Sequence, residues 1–487
     1  MKNSAFLIFP IHLFEDISQL ENYDTIYLIE EPRYFTDFSF HKLKLAYHRA
    51  SIKYYFDYLK ENLNKEKIIK YINYDEITEN WYSDKKYSQI ASYEVFDNSL
   101  EKKLVNLKSF KFIKSLNFLL DDEIISKKEP VTFMNFYKKQ RIRLNVLIDN
   151  KEGKHKPLKG VWSFDKENRK KVPKNVDLPP EYEILNNTYI EQAKTYVLEH
   201  FPKNYGSLDY FIYPITFEGA KKWLHNFIEN LFDDFGPYED AIVEKNHFLW
   251  HSVLAPMMNI GLLTDTFILS EVLKYEDKIR LESLEGFIRQ IIGWRNYILT
   301  YYICFGDVIR NSNHLNAQNR INEVLYQKLW EGKTGLLPVD NAINGIVKFS
   351  YAHHIQRLMI LGNFFLLLRI HPDDIYKIFM EWTIDAYDWV MVPNVYSMSQ
   401  YADGGLMMTR PYFSSSAYIT RMSNYKKGPW CETWNYLYYH FLIDHREMLK
   451  KNYSTSNMIY HLDKKSESEK DEIVKESKAF AKRLSSI

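Results

Sequence analysis

Ala5-Phe-Leu-Ile-Phe9, Thr25-Ile-Tyr-Leu-Ile29 and Lys67-Ile-Ile-Lys-Tyr-Ile72 are three short apolar runs near the start of the chain. Continuous runs of this length, rich in Ile, Leu and aromatic residues, suit strands covered on both faces. Between the second and third lies a stretch over residues 41–62 in which Leu43, Ala46, Tyr47, Ala50, Tyr54, Phe56 and Leu59 recur at the spacing of a buried helical stripe. Strand, helix, strand in that order implies a parallel sheet in an open α/β domain, taken here as residues 1–130. Ligands of such domains sit beyond the carboxyl ends of the strands. No glycine-rich phosphate loop follows the first run, which argues against a dinucleotide at that end.

The 487 residues suffice for two or three domains with separate cores. Aromatic residues make up 16%, with 38 Tyr, a content that suits packed interiors and planar ligands and that codon bias could equally produce. Formal net charge is +1, from 64 basic and 63 acidic residues, so any nucleic-acid surface has to be local. Cys304 and Cys431 are the only cysteines and lack metal-ligand spacing, which fits a reducing compartment. The apolar run over residues 359–370 falls short of the roughly 20 residues a membrane span needs, and it contains Asn363 and Arg369. A cytoplasmic, monomeric protein without a membrane partner is expected.

Residues 131–215 turn polar, and six prolines from Pro157 to Pro214 interrupt any long periodicity, so this segment reads as an interdomain linker. It carries two basic clusters: Lys138, Lys139, Arg141 and Arg143, then Lys166, Arg169, Lys170, Lys171 and Lys174. Each fits a solvated surface, and together they could follow a phosphate backbone. From residue 216 to 452 the periodicity is helical, with helices expected over 217–235, 246–260, 266–274, 281–304, 317–330, 339–368, 373–389 and 436–452. Residues 453–487 read as a charged C-terminal tail, with the charge-dense stretch 464–482 a solvated helix or a frayed end.

Four segments of the helical half exceed core patterning. Tyr351-Ala-His-His-Ile-Gln-Arg-Leu-Met359 sets two histidines and Arg357 into an apolar helix. Imidazole exchanges protons near neutral pH, so such a pair suits proton transfer to a bound group. Two buried histidines bonded to backbone carbonyls would give the same pattern. Trp250-His-Ser-Val-Leu-Ala-Pro-Met-Met-Asn-Ile-Gly-Leu-Leu263 joins a hydroxyl residue and a later glycine to a short apolar helix. Glu285-Gly-Phe-Ile-Arg-Gln-Ile-Ile-Gly-Trp-Arg-Asn-Tyr297 places Gln290, Trp294 and Arg295 among apolar residues. The fourth segment runs from Asp385 to Gly405 and crowds polar groups after a helix end.

These segments, with Phe235-Gly-Pro-Tyr238, Gly160-Val-Trp-Ser-Phe-Asp165, Arg410-Pro-Tyr412, Arg421-Met-Ser-Asn-Tyr425 and His41-Lys-Leu-Lys-Leu-Ala-Tyr-His-Arg49, resemble the photolyase/cryptochrome superfamily. The resemblance points to its iron–sulfur bacterial branch, the deoxyribodipyrimidine photolyase-related proteins. It implies an α/β antenna domain, a long linker and an all-α domain that buries FAD. It also implies light-driven electron transfer from reduced FAD to a dimer flipped out of UV-damaged DNA. By resemblance, Ser252, Leu254, Asn259, Gly261 and Leu262 would line the FAD phosphate end, and Gln290, Trp294 and Arg295 would contact the flavin or the lesion. Asp385, Ala386, Trp389 and Asn394 would surround the ribityl chain and isoalloxazine.

His353 and His354 match the family's active-site pair, with His354 as the proton donor for (6-4) photoproducts. Opening that lesion takes an electron and a proton, whereas a cyclobutane dimer takes only an electron. Arg410, Tyr412, Arg421, Lys426 and Lys427 would grip the damaged strand, with Lys138 and Arg141 as a further phosphate contact. A photoreceptor that binds flavin and repairs nothing is the alternative reading.

The chain departs from the family in two places. Pro338, Lys426 and Pro429 align with three cysteines of the family's [4Fe–4S] cluster, and Cys431 or Glu432 with the fourth, so neither the cluster nor any other metal is expected. Trp430 and Trp434 would pack the space instead. Ile378 and Phe379 stand where the family has an oxidisable Trp–Tyr pair, leaving Trp330, Trp382, Trp389 and Tyr387 as substitutes. A ribityl-lumazine antenna, usual in this branch, would have Phe9 and Glu31 as neighbours.

Overall fold

The computed structural model describes residues 3–78, 80–83, 87–149 and 155–486. Its first part is a five-stranded parallel sheet: β1 (Ser4–Ile8), β2 (Thr25–Ile29), β3 (Ile68–Ile72), β4 (Gln89–Tyr93) and β5 (Phe110–Ile113), in the order β3-β2-β1-β4-β5. Every residue of β1 and β2 is buried, while edge strand β3 is partly exposed. That gradient explains why the three apolar runs were legible as strands, and why β4 and β5, with Gln89, Ser92 and Lys111 among them, were not. The expected helix appears as Lys42–Asn62, with the His41 ring accepting the Leu43 N–H at 3.0 Å. Helix Thr188–His200, from the segment expected to be a linker, packs along it.

The rest is helical, and several long periodic stretches are interrupted. The expected helix over 339–368 ends at Phe349, because Ser350 adopts φ 53. It resumes at His354, so His353 lies ahead of it. The stretch over 246–260 is helical only at Ala255–Ile260, since Leu249 and Val253 have φ of 48 and 51. The charged terminus takes the helical of its two expected forms, with one face buried and not fully solvated. Glu467–Ser485 is a helix opened by a Ser466/Glu469 capping box and packed on helix Pro429–Asp444, with Ile473, Phe480 and Leu484 buried and Ser477 hydrogen-bonded to His440.

Three segments, Arg289–Arg295, Gln356–Gly362 and Val392–Ser399, are π-helical. Such wide turns cost backbone stability and are frequent at functional sites.

The carboxyl ends of the strands dock against the helical half. Leu13 donates its N–H to Ile260 (2.8 Å), and Asn117 donates to the Met258 carbonyl (2.6 Å). A buried charge cluster closes the same seam. The Asp388 carboxylate accepts from Tyr302 and Tyr376 (both 2.5 Å), from Arg310 (2.6 and 2.7 Å) and from Arg33 (3.4 Å), while Arg33 also pairs with Asp97 at 2.7 Å. Arg33 and Asp97 come from the sheet domain, the others from the helices. Removing one member of a buried, paired set leaves its partners charged without compensation. Asp388→Ala should therefore cost about 3–5 kcal/mol of unfolding free energy, measured by denaturant titration, and loosen the two halves together.

Candidate functional site

The three π segments face one cavity of about 1210 Å3, larger than the roughly 300–1,000 Å3 of ordinary small-molecule sites. Its inner wall is built on Arg357, whose guanidinium binds Asp385 in a two-bonded fork (2.9 and 3.0 Å) and donates from Nε to the Ala352 carbonyl. Burial works against the charged guanidinium, and the adjacent Asp385 outweighs it, so its pKa is raised. Asn259 donates to the Asp385 carbonyl at 2.8 Å and accepts from Arg295 at 2.5 Å. Arg295 lies over Phe118 and Trp389, pairs with Asp265 at 2.8 Å, and keeps its buried Nη2 without a hydrogen bond.

Ser252, Leu254, Gln290, Trp294, Trp389 and Asn394 line the same space, with Trp294 stacked on Phe133 at 3.7 Å. Arg410, Tyr412 and Arg421 reach it at the other end.

The histidine pair divides. His354 exposes its ring to the cavity, although the surrounding protein, with His251 and Arg357, lowers its pKa to about 4. His353 is buried behind it, stacked on His251 at 4.6 Å, and neither of its ring nitrogens has a partner. Neither buried-and-satisfied reading holds. Both atoms of the Gln356 side-chain amide are also unpartnered. Burial first, then the neighbouring histidines, push the His353 pKa well below its usual value, so it stays neutral near pH 7.

Other expected positions lie elsewhere. Gly261 has φ 98, and a Cβ there would meet the Phe14 ring at 2.8 Å, so this glycine serves the docking of the two halves. Leu262 is buried outside the cavity, and Ala386 turns its carbonyl to the fully buried Lys44 Nζ at 2.6 Å. Arg141 is no phosphate contact: it is 1% exposed and donates to the carbonyls of Val146, Leu147 and Trp162. Lys138 sits over the Trp162 ring, and Lys426 and Lys427 are exposed beyond the cavity wall.

Phe9 and Glu31 are fully buried, the latter accepting from Tyr82 and Lys103. Phe379 lines the cavity, its ring 5.9 Å from that of Trp382, which is 6.2 Å from Trp330. Trp430 and Trp434 are buried, Trp434 donating to the Ser414 carbonyl. Among the described residues no three His, Cys, Asp or Glu side chains are grouped to hold a metal.

The model of the deoxyribodipyrimidine photo-lyase-related protein family matches residues 6–213. A (6-4) photolyase of Agrobacterium fabrum is 34% identical over 370 residues, which cover 73% of this chain and 71% of that protein. The chain belongs to the deoxyribodipyrimidine photolyase-related family. An uncharacterized protein of Acanthamoeba polyphaga mimivirus, R855, is 50% identical over 93 residues, 19% of this photolyase-related chain and 76% of that protein. Among solved structures, a class III photolyase from Agrobacterium tumefaciens superimposes with a TM-score of 0.58 at 14% identity, covering 99% of this chain and 98% of that one. A Synechocystis cryptochrome gives 0.55 at 13% identity, with the same coverage. Both likenesses establish the two-part photolyase fold.

The family motif Phe235-Gly-Pro-Tyr238 precedes a residue that sequence reading passed over. Glu239 lines the cavity, accepting from Gln290 at 2.6 Å and Asn168 at 3.0 Å. Burial outweighs the nearby Arg289 and raises its pKa from 4.5 to about 7. A carboxyl whose folded pKa is raised stabilises the fold fully below pH 4.5, and that stability is lost as pH rises towards about 7. The melting temperature should accordingly fall across this window, and Glu239→Gln should flatten that decline in thermal scans at stepped pH.

Proposed function

We propose that this chain is a light-dependent DNA repair flavoprotein acting on (6-4) photoproducts, with FAD in the inner part of the cavity and the extruded lesion in the outer part. The supporting observation is the cavity itself, large enough for two guests and presenting the exposed His354 ring, in a chain 34% identical to a (6-4) photolyase.

The inner residues suit FAD: the unsatisfied Arg295 Nη2 calls for an acceptor, the Arg357–Asp385 pair and Asn259 offer polar contacts, and Trp389 offers an aromatic wall. An archaeal photolyase of similar fold, with a TM-score of 0.55, was solved with two FAD molecules. Bound FAD would supply the light-driven one-electron chemistry.

The protein's part is positioning, exclusion of water and the proton. His354, held to a pKa of about 4, is neutral near pH 7. It becomes a donor only when negative charge entering the cavity raises that value, and a damaged strand carries such charge on its phosphates. Arg410 and Arg421, both exposed, provide the complementary charge at the outer end.

A second antenna chromophore has little room in the cleft at the carboxyl ends of β1 and β4: bounded by Glu94, Asp97, Asn117 and Trp389, its volume is about 10 Å3, enough for one water. The photoreceptor reading draws on Phe379, which places a ring resistant to oxidation between the cavity and Trp382.

The protein, its flavin reduced chemically, is illuminated with oligonucleotides carrying either a (6-4) photoproduct or a cyclobutane dimer, and restored thymines are followed by chromatography. We expect (6-4) repair, and His354→Ala should retain flavin and lose at least about a hundredfold in repair rate. Unchanged repair by this variant would remove the proton role, and repair of neither lesion by the wild type would favour the photoreceptor.

A further inference from the structure

Tyr453 is 95% exposed, the most exposed large apolar side chain among the described residues. Single exposed apolar residues are ordinary, and this one is set apart by its support and its neighbours. Its loop is fastened on both sides: Asn452 donates to the Thr409 carbonyl at 3.2 Å and accepts from Ser454, and the buried Thr455 donates to the Leu449 carbonyl at 2.6 Å. Ser454 and Thr455 both line the large cavity, so the Tyr453 ring projects from its lip. Thr409, which the loop grips, precedes Arg410 at the same lip.

The charge beside it is positive. Lys450 and Lys451, immediately before the loop, are exposed and enter no ion pair among the described residues, while Arg446 next to them is shared by Asp463 (2.8 Å) and Glu447 (2.5 Å). Arg410 and Arg421 lie over Tyr412 and Tyr418 and enter no ion pair among the described residues. A projecting aromatic ring on a fastened loop, flanked by exposed cations outside any ion pair at the mouth of a deep cavity, complements a polyanion with stacked bases.

We propose that Tyr453 enters the gap left in a DNA duplex when damaged bases turn out into the cavity, stacking on the bases that remain, while Lys450 and Lys451 hold the adjoining phosphates. Extruding bases costs stacking energy, and proteins that open a duplex offset it with an inserted side chain. The inference rests on the reading that the outer cavity receives an extruded lesion, and it adds which side chain of this protein fills the gap left behind.

The test compares binding of the whole protein to one labelled (6-4) oligonucleotide, as a duplex and as a single strand, which has no gap to fill. Tyr453→Ala should weaken duplex binding roughly tenfold and leave single-strand binding unchanged, with Tyr453→Trp near wild type. A base analogue opposite the lesion, whose fluorescence rises on unstacking, should respond more weakly with Tyr453→Ala. Lys450→Ala with Lys451→Ala should weaken both DNA forms alike and lower the salt dependence. Equal binding of duplex by Tyr453→Ala and wild type, or an equal loss on both forms, would overturn the wedge. Wild type without preference for damaged DNA would instead sink the repair reading, and the wedge with it.

Discussion

The Asp388 carboxylate is the point on which the two halves of the molecule depend. It is 2% exposed and accepts from two arginines and two tyrosines. With Asp97 added, two negative and two positive side chains share a small buried volume, and the cluster is tolerable only because each charge meets its opposite. The three residues before Asp388 extend the same logic. Asp385 takes Arg357, the Ala386 carbonyl takes Lys44, and the Tyr387 hydroxyl bonds to His48 at 2.8 Å. Lys44 and His48 stand one turn apart on helix Lys42–Asn62, so the turn at 385–388 is gripped by the sheet domain on one side and by the cavity wall on the other.

That arrangement ties the geometry of the cavity to the docking of the domains. Arg357 can fork onto Asp385 because Asp385 is fixed from behind, and Asn259 passes the constraint on to Arg295. Near this corner several buried polar groups have no partner. His353, Gln356 and Arg295 Nη2 are buried without partners, at about 1–3 kcal/mol each. Three π-helical segments surround the same space. Widened turns are frequent at functional sites, and unpartnered buried polar atoms each call for an explanation.

Glu239 and His354 show how the site sets protonation by environment. Both lie at the cavity, and the surrounding protein, which replaces bulk water, drives each towards its neutral form, the carboxyl upward to about 7 and the imidazole downward to about 4. Near neutral pH a bound polyanion therefore has large leverage over the histidine and little over the arginines, which stay charged.

The sequence alone determined the features that repeat along the chain. The buried strands β1 and β2 carry unbroken apolar runs, helix Lys42–Asn62 carries a regular stripe, and seven residues singled out by the family motifs, Ser252, Asn259, Gln290, Trp294, Arg295, Asp385 and Trp389, line one cavity. These are legible because periodicity and motif order are local properties. Tertiary structure alone decided where continuous patterns break and which polar groups are spent internally. Nothing in the local sequence forbids a helix through Ser350, yet its hydroxyl donates to the Trp382 carbonyl and its backbone turns left-handed, which parts His353 from His354. Arg141 sits in a basic run, and only the folded chain supplies the three carbonyls that consume it. Gly261 reads as a phosphate-loop glycine until the Phe14 ring is found against it. In each case the deciding partner is remote in sequence, and burial makes satisfying a polar group or fitting a close contact outweigh any local preference.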